Sequence, residues 1–355
     1  MGPVVRIAGR EIGPAAPPWV IAEVGVNHNG DPSLALELVD AAAEAGVDAV
    51  KFQTFRADQL ALVDAPAAEY QKQRAQAASQ VEMLRALELP GEALERCRVR
   101  ASERGIEMLS TPFDPESARI LADLGVPAFK IGSGDLTNLL LLRSVARYGL
   151  PIILSTGMAT EDEVAAALGD LSRHGRPDVV LLHCVSAYPA QPADANLLCM
   201  ASLRERFGVP VGFSDHTLGL NVAVAAVALG ADVIEKHLTM SRHLPGPDHA
   251  ASLEPREMAD LVVAVREAHQ ARGDGLKRPR EAEEELRTVA RRSLVVARPI
   301  RRGDTIGPDD LIALRPGTGI SPLAVDAVIG RRAARSLAAG GLLQPEDVEP
   351  PLAGT

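Results

Sequence analysis

The feature that most constrains the fold is a regular alternation of short apolar segments with longer amphipathic ones, which extends from Val20 to about Arg272. The apolar segments are rich in Val, Ile and Leu without strict alternation, which is typical of strands buried on both faces of a parallel sheet. The predicted strands are Val20–Val24, Asp48–Gln53, Glu107–Ser110, Phe129–Ile131, Ile152–Ser155, Val179–Cys184, Val211–Ser214 and Val233–His237. Eight strand–helix units over roughly 250 residues predict an α/β fold, a (β/α)8 TIM barrel. An open doubly wound sheet is the alternative, but it seldom reaches eight regular units.

The pattern changes after residue 272. Residues 273–290 are rich in charge, Gly and Pro, and are predicted to link a barrel domain of residues 1–272 to a second domain of residues 291–355. The second domain combines a short strand at Ser293–Val296 with short helical patterns, which predicts a small α+β fold. Because a domain of this size buries little apolar surface, we expect it to dock on something larger.

Composition and charge exclude several classes of protein. A net charge of −10 argues against a nucleic-acid-binding protein, which usually has a basic face. Three scattered cysteines are too few for a disulfide framework or a zinc knuckle. The longest apolar stretches fall short of the ~18 residues of a membrane span, and the N-terminus lacks the pattern of a signal peptide. We therefore expect a soluble cytoplasmic protein with neither a nucleic acid nor a membrane as partner.

Polar side chains follow every predicted strand, at the end of the barrel where TIM-barrel active sites lie. Side chains two residues apart share one face of a strand, so Lys51 and Gln53 point the same way, as do Glu235 and His237. If these faces point inward, lysines, histidines and a carboxylate converge on one cavity. The pattern predicts an enzyme.

The two lysines at strand ends, Lys51 and Lys130, suit a phosphate and a carboxylate, with hydroxyl groups from Ser133, Ser155 and Ser214. One alternative is that each lysine only ends a strand in solvent. Another is a Schiff-base lysine of the aldolase type.

His216 and His237 follow neighbouring strands, and neutral imidazoles suit a divalent transition metal such as Mn²⁺, with Mg²⁺ or Co²⁺ as alternatives. Two protein ligands predict weak, exchangeable binding in a Lewis-acid role. The alternative is that both residues only form hydrogen bonds in loops. The segment Asn27–Gly30 has a simple reading as a strand–helix turn, with Asp31 or Ser33 capping the next helix.

A long insertion, residues 64–90, follows the second predicted strand. Tyr70–Arg74 and Met83–Leu84 lie in it, and they indicate either a lid over the substrate or a solvated loop.

A series of motifs resembles the sialic-acid synthases, a family that includes legionaminic- and pseudaminic-acid synthases. In order, the motifs are IAEVGVNHNGD, VKFQTF, LSTPFD, FKIGSGD, PIILSTGM, LLHCVSAYP, GFSDHT, GADVIEKHLT and PGPDH. The resemblance runs from about Val20 to Pro350. The C-terminal part, with Leu314–Gly319 as its signature, is similar to the antifreeze-like (SAF) domain of these enzymes.

The resemblance implies a transferase that condenses phosphoenolpyruvate with an N-acylated amino-hexose and releases phosphate by C–O cleavage, without an organic cofactor. It implies that His216 and His237 bind the metal and that Glu23, Glu235 and Lys51 are catalytic. The implied phosphoenolpyruvate-binding residues are Lys51, Gln53, Thr111, Lys130, Ser133, Ser155 and Ser214. The implied sugar-binding residues are Tyr188, Asp248 and Arg315.

The resemblance also implies a domain-swapped homodimer, in which Arg315 reaches the partner's barrel. Glu69–Lys72 and Glu82–Leu84 are similar to the bacterial legionaminate branch, so the acceptors to consider are N-acetylmannosamine and a 2,4-diacetamido-trideoxyhexose. Pseudaminate synthase and N-acylneuraminate-9-phosphate synthase are alternatives within the family. Outside it, the alternatives are a pyruvate-dependent aldolase and an inactive sugar-binding homologue.

Overall fold

The computed structural model describes residues 2–62, 80–175 and 177–352. The chain divides into two compact units, Met1–Gly273 and Asp274–Thr355. Of the predicted insertion, Tyr70–Arg74 and Glu69–Lys72 lie outside the described residues.

The first unit begins with an antiparallel hairpin of β1 (Val5–Ile7) and β2 (Arg10–Ile12). A closed barrel of eight parallel strands follows, in which each strand pairs with the next and the last pairs with the first. The barrel strands are β3 Trp19–Gly25, β4 Ala49–Thr54, β5 Glu107–Pro112, β6 Phe129–Ile131, β7 Ile152–Ser155, β8 Val179–Cys184, β9 Val211–Asp215 and β10 Val233–His237. The prediction of a (β/α)8 barrel is confirmed.

Helices surround the barrel and cover the outward faces of its strands with a large apolar core. Their bounds are α1 Pro32–Glu44, α2 Ala57–Leu60, α3 Gln80–Leu87, α4 Gly91–Glu103, α5 Pro115–Leu124, α6 Leu139–Ala146, α7 Glu161–His174, α8 Cys199–Phe207, α9 Asn221–Ala228 and α10 Pro255–Arg272. Side chains cap several N-termini, as the sequence pattern leads one to expect. Asp31 accepts a hydrogen bond from the amide of Ser33 at the start of α1, and Thr160 and Glu163 form a capping box on α7.

The interior of the barrel is filled by apolar side chains at its N-terminal end. Trp19 and Ile21 of β3, Ala49 of β4 and Leu109 of β5 belong to this cluster, which also contains Ile7 of the hairpin. The hairpin therefore closes this end of the barrel. Because side chains alternate along a strand, the same inward face continues toward the C-terminal end with polar residues.

The second unit is a small α+β domain, as predicted. Two short antiparallel pairs join β11 (Ser293–Val296) to β12 (Leu311–Leu314) and β13 (Arg332–Ala333) to β14 (Val348–Glu349). Its apolar core is formed by Leu294, Val296, Ile300, Ile306, Ile320, Val328, Ala333, Leu337, Leu343 and Val348.

Two helices complete the second unit, α11 (Glu284–Ala290) and α12 (Val325–Val328). Helix α11 lies in the segment predicted as a linker, and Thr288 accepts a hydrogen bond of 2.8 Å from the amide of Gly317. That part of the segment is therefore joined to the second unit.

Across the described parts of both units, none of the helices combines the length and the apolar character needed to cross a bilayer.

Candidate active site

A cavity of about 310 Å³ lies at the C-terminal ends of the barrel strands. Every predicted site residue except Asp248 and Arg315 lines it, together with Phe113, Met158, Cys184 and Ser186. Its inner wall continues the inward face that carries Ile21 and Ala49 deeper in the barrel. The apolar layer below therefore supports the polar layer above and closes it off from that end.

Glu23, Lys51 and Gln53 form one half of the polar layer. The Nζ atom of Lys51 lies 2.6 Å from Glu23 Oε2 and 3.8 Å from Glu235 Oε2, and it donates to Thr111 Oγ1 at 3.3 Å. Gln53 Nε2 donates to the other oxygen of Glu23 at 3.1 Å. The register explains the contact, because Glu23 and Lys51 are paired residues on neighbouring strands.

Lys130 and Glu235 form the other half. Lys130 donates to Ser155 Oγ at 2.8 Å, and its Nζ atom lies 3.5 Å from Glu235 Oε1. The same carboxylate accepts a hydrogen bond of 2.9 Å from Ser214. Two ammonium groups, two carboxyl groups and three hydroxyls therefore share one buried layer.

The two buried carboxyls have opposite pKa shifts. Burial raises the pKa of Glu23 to about 7, against the opposing effect of Lys51 and with a contribution from Glu235. Burial also acts to raise the pKa of Glu235, but Lys130 and Lys51 outweigh it and hold that pKa at about 2. Glu235 is therefore a stable anion at neutral pH, while Glu23 exchanges a proton in that range.

The lysines respond to the same neighbours. Burial acts to lower the pKa of Lys51, but Glu23 and Glu235 more than offset it, and the pKa is raised. Burial lowers the pKa of Lys130 although Glu235 opposes it. At neutral pH Glu235 is ionised, while Glu23 is near the midpoint of its titration. The positive charge of the two lysine side chains is therefore not fully neutralised, and the layer can accept an anion.

His216 and His237 face each other across the cavity, with ring centroids 5.6 Å apart. Burial lowers the pKa of both imidazoles, so both are neutral at pH 7. The Nδ1 atom of His216 donates to the carbonyl of Val185 at 2.7 Å, so Nε2 is the unprotonated nitrogen; it lies 3.5 Å from Ser214 Oγ, whose proton is donated to Glu235. His237 Nδ1 is buried and has no hydrogen-bond partner among the described residues.

This pair fits a divalent transition metal, since such an ion binds neutral imidazole nitrogens that keep an available lone pair. In the part of the chain that the structure describes, no cluster of three or more His, Cys, Asp or Glu side chains is arranged to hold a metal. A metal at this pair would therefore need further ligands from water or substrate.

Ser133 and Gly157 form a tight corner of the same cavity. The amide of Gly157 donates to Ser133 Oγ at 3.0 Å, and Cys184 Sγ lies 3.1 Å from that oxygen. A Cβ atom at Gly157 would lie 2.4 Å from Ser186 Oγ, 2.8 Å from Ser133 Oγ and 2.9 Å from Cys184 Sγ, so a larger residue here would displace these side chains. Cys184 is the buried last residue of β8, and its parity with the inward-facing Leu182 is the sequence signal that it reaches the cavity.

A second cavity of about 330 Å³ adjoins the first and shares Gln53, Phe113, Tyr188 and His237 with it. Asp248 lines this second cavity, and its Oδ2 atom lies 4.0 Å from His237 Nδ1. The ring of Tyr188 lies 4.3 Å from that of His216, between centroids, and therefore forms part of the passage between the cavities. The predicted sugar-binding residues Tyr188 and Asp248 thus lie next to the predicted phosphoenolpyruvate site.

Arg315 belongs to the second unit. It is exposed, and its Nε atom donates to the carbonyl of Ala290 at 3.0 Å. Its contribution to a partner's barrel stays a prediction.

The segment Asn27–Gly30 joins two loops. Asn27 donates to the carbonyl of Leu238 at 2.8 Å and to Ser252 Oγ at 2.9 Å, while His249 Nε2 lies 3.1 Å from Asn29 Oδ1. Asp31 caps α1, as the turn interpretation expected. The asparagines thereby connect the loop after β3 with the loop that carries Asp248.

Comparison with known proteins adds independent support. The chain is 47% identical to N,N'-diacetyllegionaminic acid synthase of Legionella pneumophila, over 93% of this chain and 94% of that protein. It is 43% identical to the enzyme of the same name from Campylobacter jejuni, over 89% and 96%. The crystal structure of N-acetylneuraminic acid synthetase from Leptospira borgpetersenii superposes with a TM-score of 0.72 at 34% identity, covering 81% of this chain and 95% of that one.

Two family models match, the NeuB family over residues 38–277 and the SAF domain over residues 291–349. The chain therefore belongs to the NeuB family of sialic-acid synthases and carries a C-terminal SAF domain.

Proposed function

We propose that this enzyme is a nonulosonate synthase that condenses phosphoenolpyruvate with an N-acylated amino-hexose and releases inorganic phosphate, which makes it a transferase. The observation that carries the proposal is the buried layer of two lysines and two carboxylates beside a neutral histidine pair in one cavity. The relatives at 43–47% identity are synthases of this class.

In this proposal the anionic groups of phosphoenolpyruvate bind at Lys51 and Lys130, with hydroxyls from Ser133, Ser155 and Ser214 and side chains from Gln53 and Thr111 completing the site. Charge-assisted hydrogen bonds of this kind are about twice as strong as neutral ones. The lysines also fix the orientation of the enol double bond toward the second cavity, where the acceptor lies.

Carbon C3 of phosphoenolpyruvate forms a bond to the aldehyde carbon of the open-chain sugar with the electron pair of its C2–C3 double bond. The aldehyde oxygen takes up a proton, and C2 becomes an oxocarbenium ion. Water then adds to C2 and loses a proton, which gives a tetrahedral intermediate with a hydroxyl group on C2. The bond from C2 to the bridging oxygen breaks, the hydroxyl proton passes to the departing phosphate, and the 2-keto group forms.

Glu23 is the proton-transfer residue, since it can act as base toward water and as acid in turn. Its oxygen lies 2.6 Å from Lys51 Nζ, which holds the carboxyl in place. Glu235 stays ionised between the two lysines and, with Ser214, orients them.

His216 and His237 hold a divalent metal, for which Mn²⁺ is our proposal. When bound, the metal supplies Lewis-acid polarisation of the aldehyde oxygen. The tight ion pair of Lys51 with Glu23 disfavours Schiff-base chemistry at that lysine, because a nucleophilic lysine must be uncharged; Lys130 is the lysine that borohydride trapping would test.

For the acceptor we propose a 2,4-diacetamido-2,4,6-trideoxyhexose, which the names of the two bacterial relatives support. We further propose a domain-swapped homodimer in which Arg315 of each chain reaches the sugar end of the partner's site.

The test is an assay of the purified, chelator-treated protein with Mn²⁺, phosphoenolpyruvate and, in separate reactions, N-acetylmannosamine, its 6-phosphate and the diacetamido sugar. We expect metal-dependent release of phosphate together with a 2-keto acid. Phosphate release with none of the sugars contradicts the proposed function. Borohydride trapping of pyruvate on a lysine, without need for metal, would establish the aldolase alternative instead.

A further inference from the structure

The second cavity has one polar and one apolar side. Gln53, Tyr188, His237 and Asp248 form the polar side, which faces the catalytic layer. The apolar side is formed by aliphatic and aromatic side chains, namely Val26, Leu60, Met83, Leu84, Leu87 and Phe113, and Gln80 at the start of α3 also lines the cavity.

The side chains of the apolar side are well packed. Val26, Phe55, Met83 and Leu87 are all less than 10% exposed and form a small core of their own, against which Leu60, Leu84 and Phe113 pack. Phe55 and Phe113 meet edge to face with centroids 6.0 Å apart. Such packing restrains the side chains that line the cavity.

Helix α3 is also tied to the barrel at its C-terminal end. Glu88 accepts a hydrogen bond of 2.7 Å from the amide of Ala57 at the start of α2. Gly30 has a positive φ of 76°, and a Cβ atom there would lie 2.3 Å from the carbonyl oxygen of Ala86, so this close approach requires glycine. The helix therefore presents Leu84 and Leu87 from a fixed position.

If phosphoenolpyruvate fills the first cavity, an acceptor whose aldehyde end lies at His237 extends into the second cavity, because His237 lines both. A hydroxyl group at the far end would lose hydrogen bonds to water where it meets the aliphatic side chains. A methyl group would gain apolar contact there and would lose no hydrogen bond.

We infer that the apolar wall of Leu60, Met83, Leu84 and Leu87 is the element that selects the acceptor, and that it does so by favouring a 6-deoxy end over a 6-hydroxymethyl end. The inference rests on the proposed function and adds to it the residues that decide between amino-hexoses. Met83, Leu84 and Leu87 lie at the end of the 64–90 insertion, so the inference assigns a role to that part of the chain.

The first measurement needs no variant. The wild-type enzyme is assayed with N-acetylmannosamine and with 6-deoxy-N-acetylmannosamine, which differ by one oxygen atom. We expect kcat/KM for the 6-deoxy sugar to be higher, on the order of 10- to 100-fold, which is the range an apolar pocket achieves against an added hydroxyl. Equal values, or a preference for the hydroxyl, overturn the inference.

Two variants then test whether the wall side chains cause the preference for the 6-deoxy sugar. Leu84→Gln and Leu60→Gln place an amide on the wall from two different elements, and each is expected to reduce the preference about tenfold. The KM for phosphoenolpyruvate should be unchanged in both. Leu89→Gln is the matched control, since Leu89 is also half-buried and close in sequence but packs against the core between barrel and helices.

An unchanged preference in both wall variants overturns the inference, and so does an equal loss in the control. These results are distinct from failure of the proposed function, in which wild-type enzyme releases no phosphate with any amino-hexose. Thermal melting of each variant establishes that it is folded before its kinetics are compared.

Discussion

The two carboxyl groups in the cavity have opposite pKa shifts because their neighbours differ. Glu235 lies between two lysines and accepts a hydrogen bond from Ser214, so its pKa falls to about 2. Glu23 is buried beside one lysine and an amide, and burial raises its pKa to about 7. Titratable groups whose pKa values are pushed apart in this way are typical of acid–base pairs, which supports the proposed role of Glu23 in proton transfer.

The first prediction concerns Glu23→Gln. The amide retains the volume of the side chain but can no longer accept and return a proton, so we expect kcat to fall about 10²- to 10⁴-fold. Calorimetric titration should still detect binding of phosphoenolpyruvate, because Lys51 and Lys130 remain. Turnover within threefold of wild type would show that proton transfer belongs to another group.

The second prediction separates anion binding from general packing. Ser155→Ala removes the hydroxyl that accepts a hydrogen bond of 2.8 Å from Lys130. Since a hydrogen bond to a charged group contributes about 1.5–3 kcal/mol, we expect the KM for phosphoenolpyruvate to rise at least tenfold. Ser110→Ala is the control, because Ser110 bonds Thr54 at 2.7 Å on the outer face of the strands. A similar rise in that variant would contradict a specific role for Ser155.

At the scale of elements, alternation along strands made much of the molecule predictable. The eight strands lie within a residue or two of the predicted segments, because apolar runs buried on both faces are a strong local signal. The same parity predicted that Lys51 and Gln53 share a face, and both line the cavity.

The parts that local pattern could not predict depend on contacts between distant segments. The apolar wall is one example, since Leu60, Leu84 and Phe113 pack against one apolar cluster only after the chain has folded. Lys236 is another: parity places it on the outward face, opposite Glu235, but its buried ion pair of 2.7 Å with Asp215 depends on the neighbouring strand β9.

The third prediction concerns the two loops that Asn29 and His249 join. His249 contacts Asn29 at 3.1 Å and Thr239 at 2.7 Å, and Ser252 donates to the carbonyl of Asp248 at 2.8 Å. Asn29→Ala should therefore release the loop that positions Asp248 and raise the KM for the amino-hexose several-fold, while the KM for phosphoenolpyruvate stays unchanged.

Its control is Asn138→Ala, which removes the cap of α6 far along the chain from either loop. That change should lower stability by about 0.5–2 kcal/mol without a kinetic effect. Equal effects of the Asn29 change on both Michaelis constants would argue for general disorder of the site rather than for a positioning role.

The fourth prediction uses the ion pairs between α6 and α7. Hydrogen bonds from Arg143 at 2.9 Å, together with Arg173 and His174, lower the pKa of Asp170 to about 2. A folded-state pKa below the unfolded value stabilises the protein above about pH 4 and loses that effect as pH falls toward 2. Asp170→Asn should thus lower the melting temperature at pH 7, and the gap to wild type should narrow by pH 3.

The exposed pair of Asp162 with Arg206 provides the comparison, since Asp162 is 89% exposed and Asp162→Asn should have little effect at either pH. A gap for Asp170→Asn that is the same at pH 7 and pH 3 would rule out ionisation of Asp170 as its cause.

At the scale of the whole molecule, the barrel contains the proposed phosphoenolpyruvate site and most of the proposed acceptor site, while Arg315 lies in the separate SAF unit. The proposed domain swap predicts that Arg315 acts in trans, on the barrel of the partner chain, and not in cis on its own barrel. If Arg315 serves the partner's barrel, a chain defective at Arg315 and a chain defective at Glu23 complement each other in a mixed dimer. One of its two sites then has both residues intact.

The last prediction tests this complementation between two defective chains. Arg315→Ala and Glu23→Gln proteins, each nearly inactive alone, are unfolded together, refolded at equal concentration and assayed. Random pairing makes half of the dimers mixed, each with one intact site, so we expect roughly a quarter of wild-type activity. If Arg315 acts on its own barrel, every site in every dimer carries one defect, and mixing restores nothing. Refolding each variant alone controls for losses in the procedure, and the restored activity should show the acceptor KM of the wild-type enzyme.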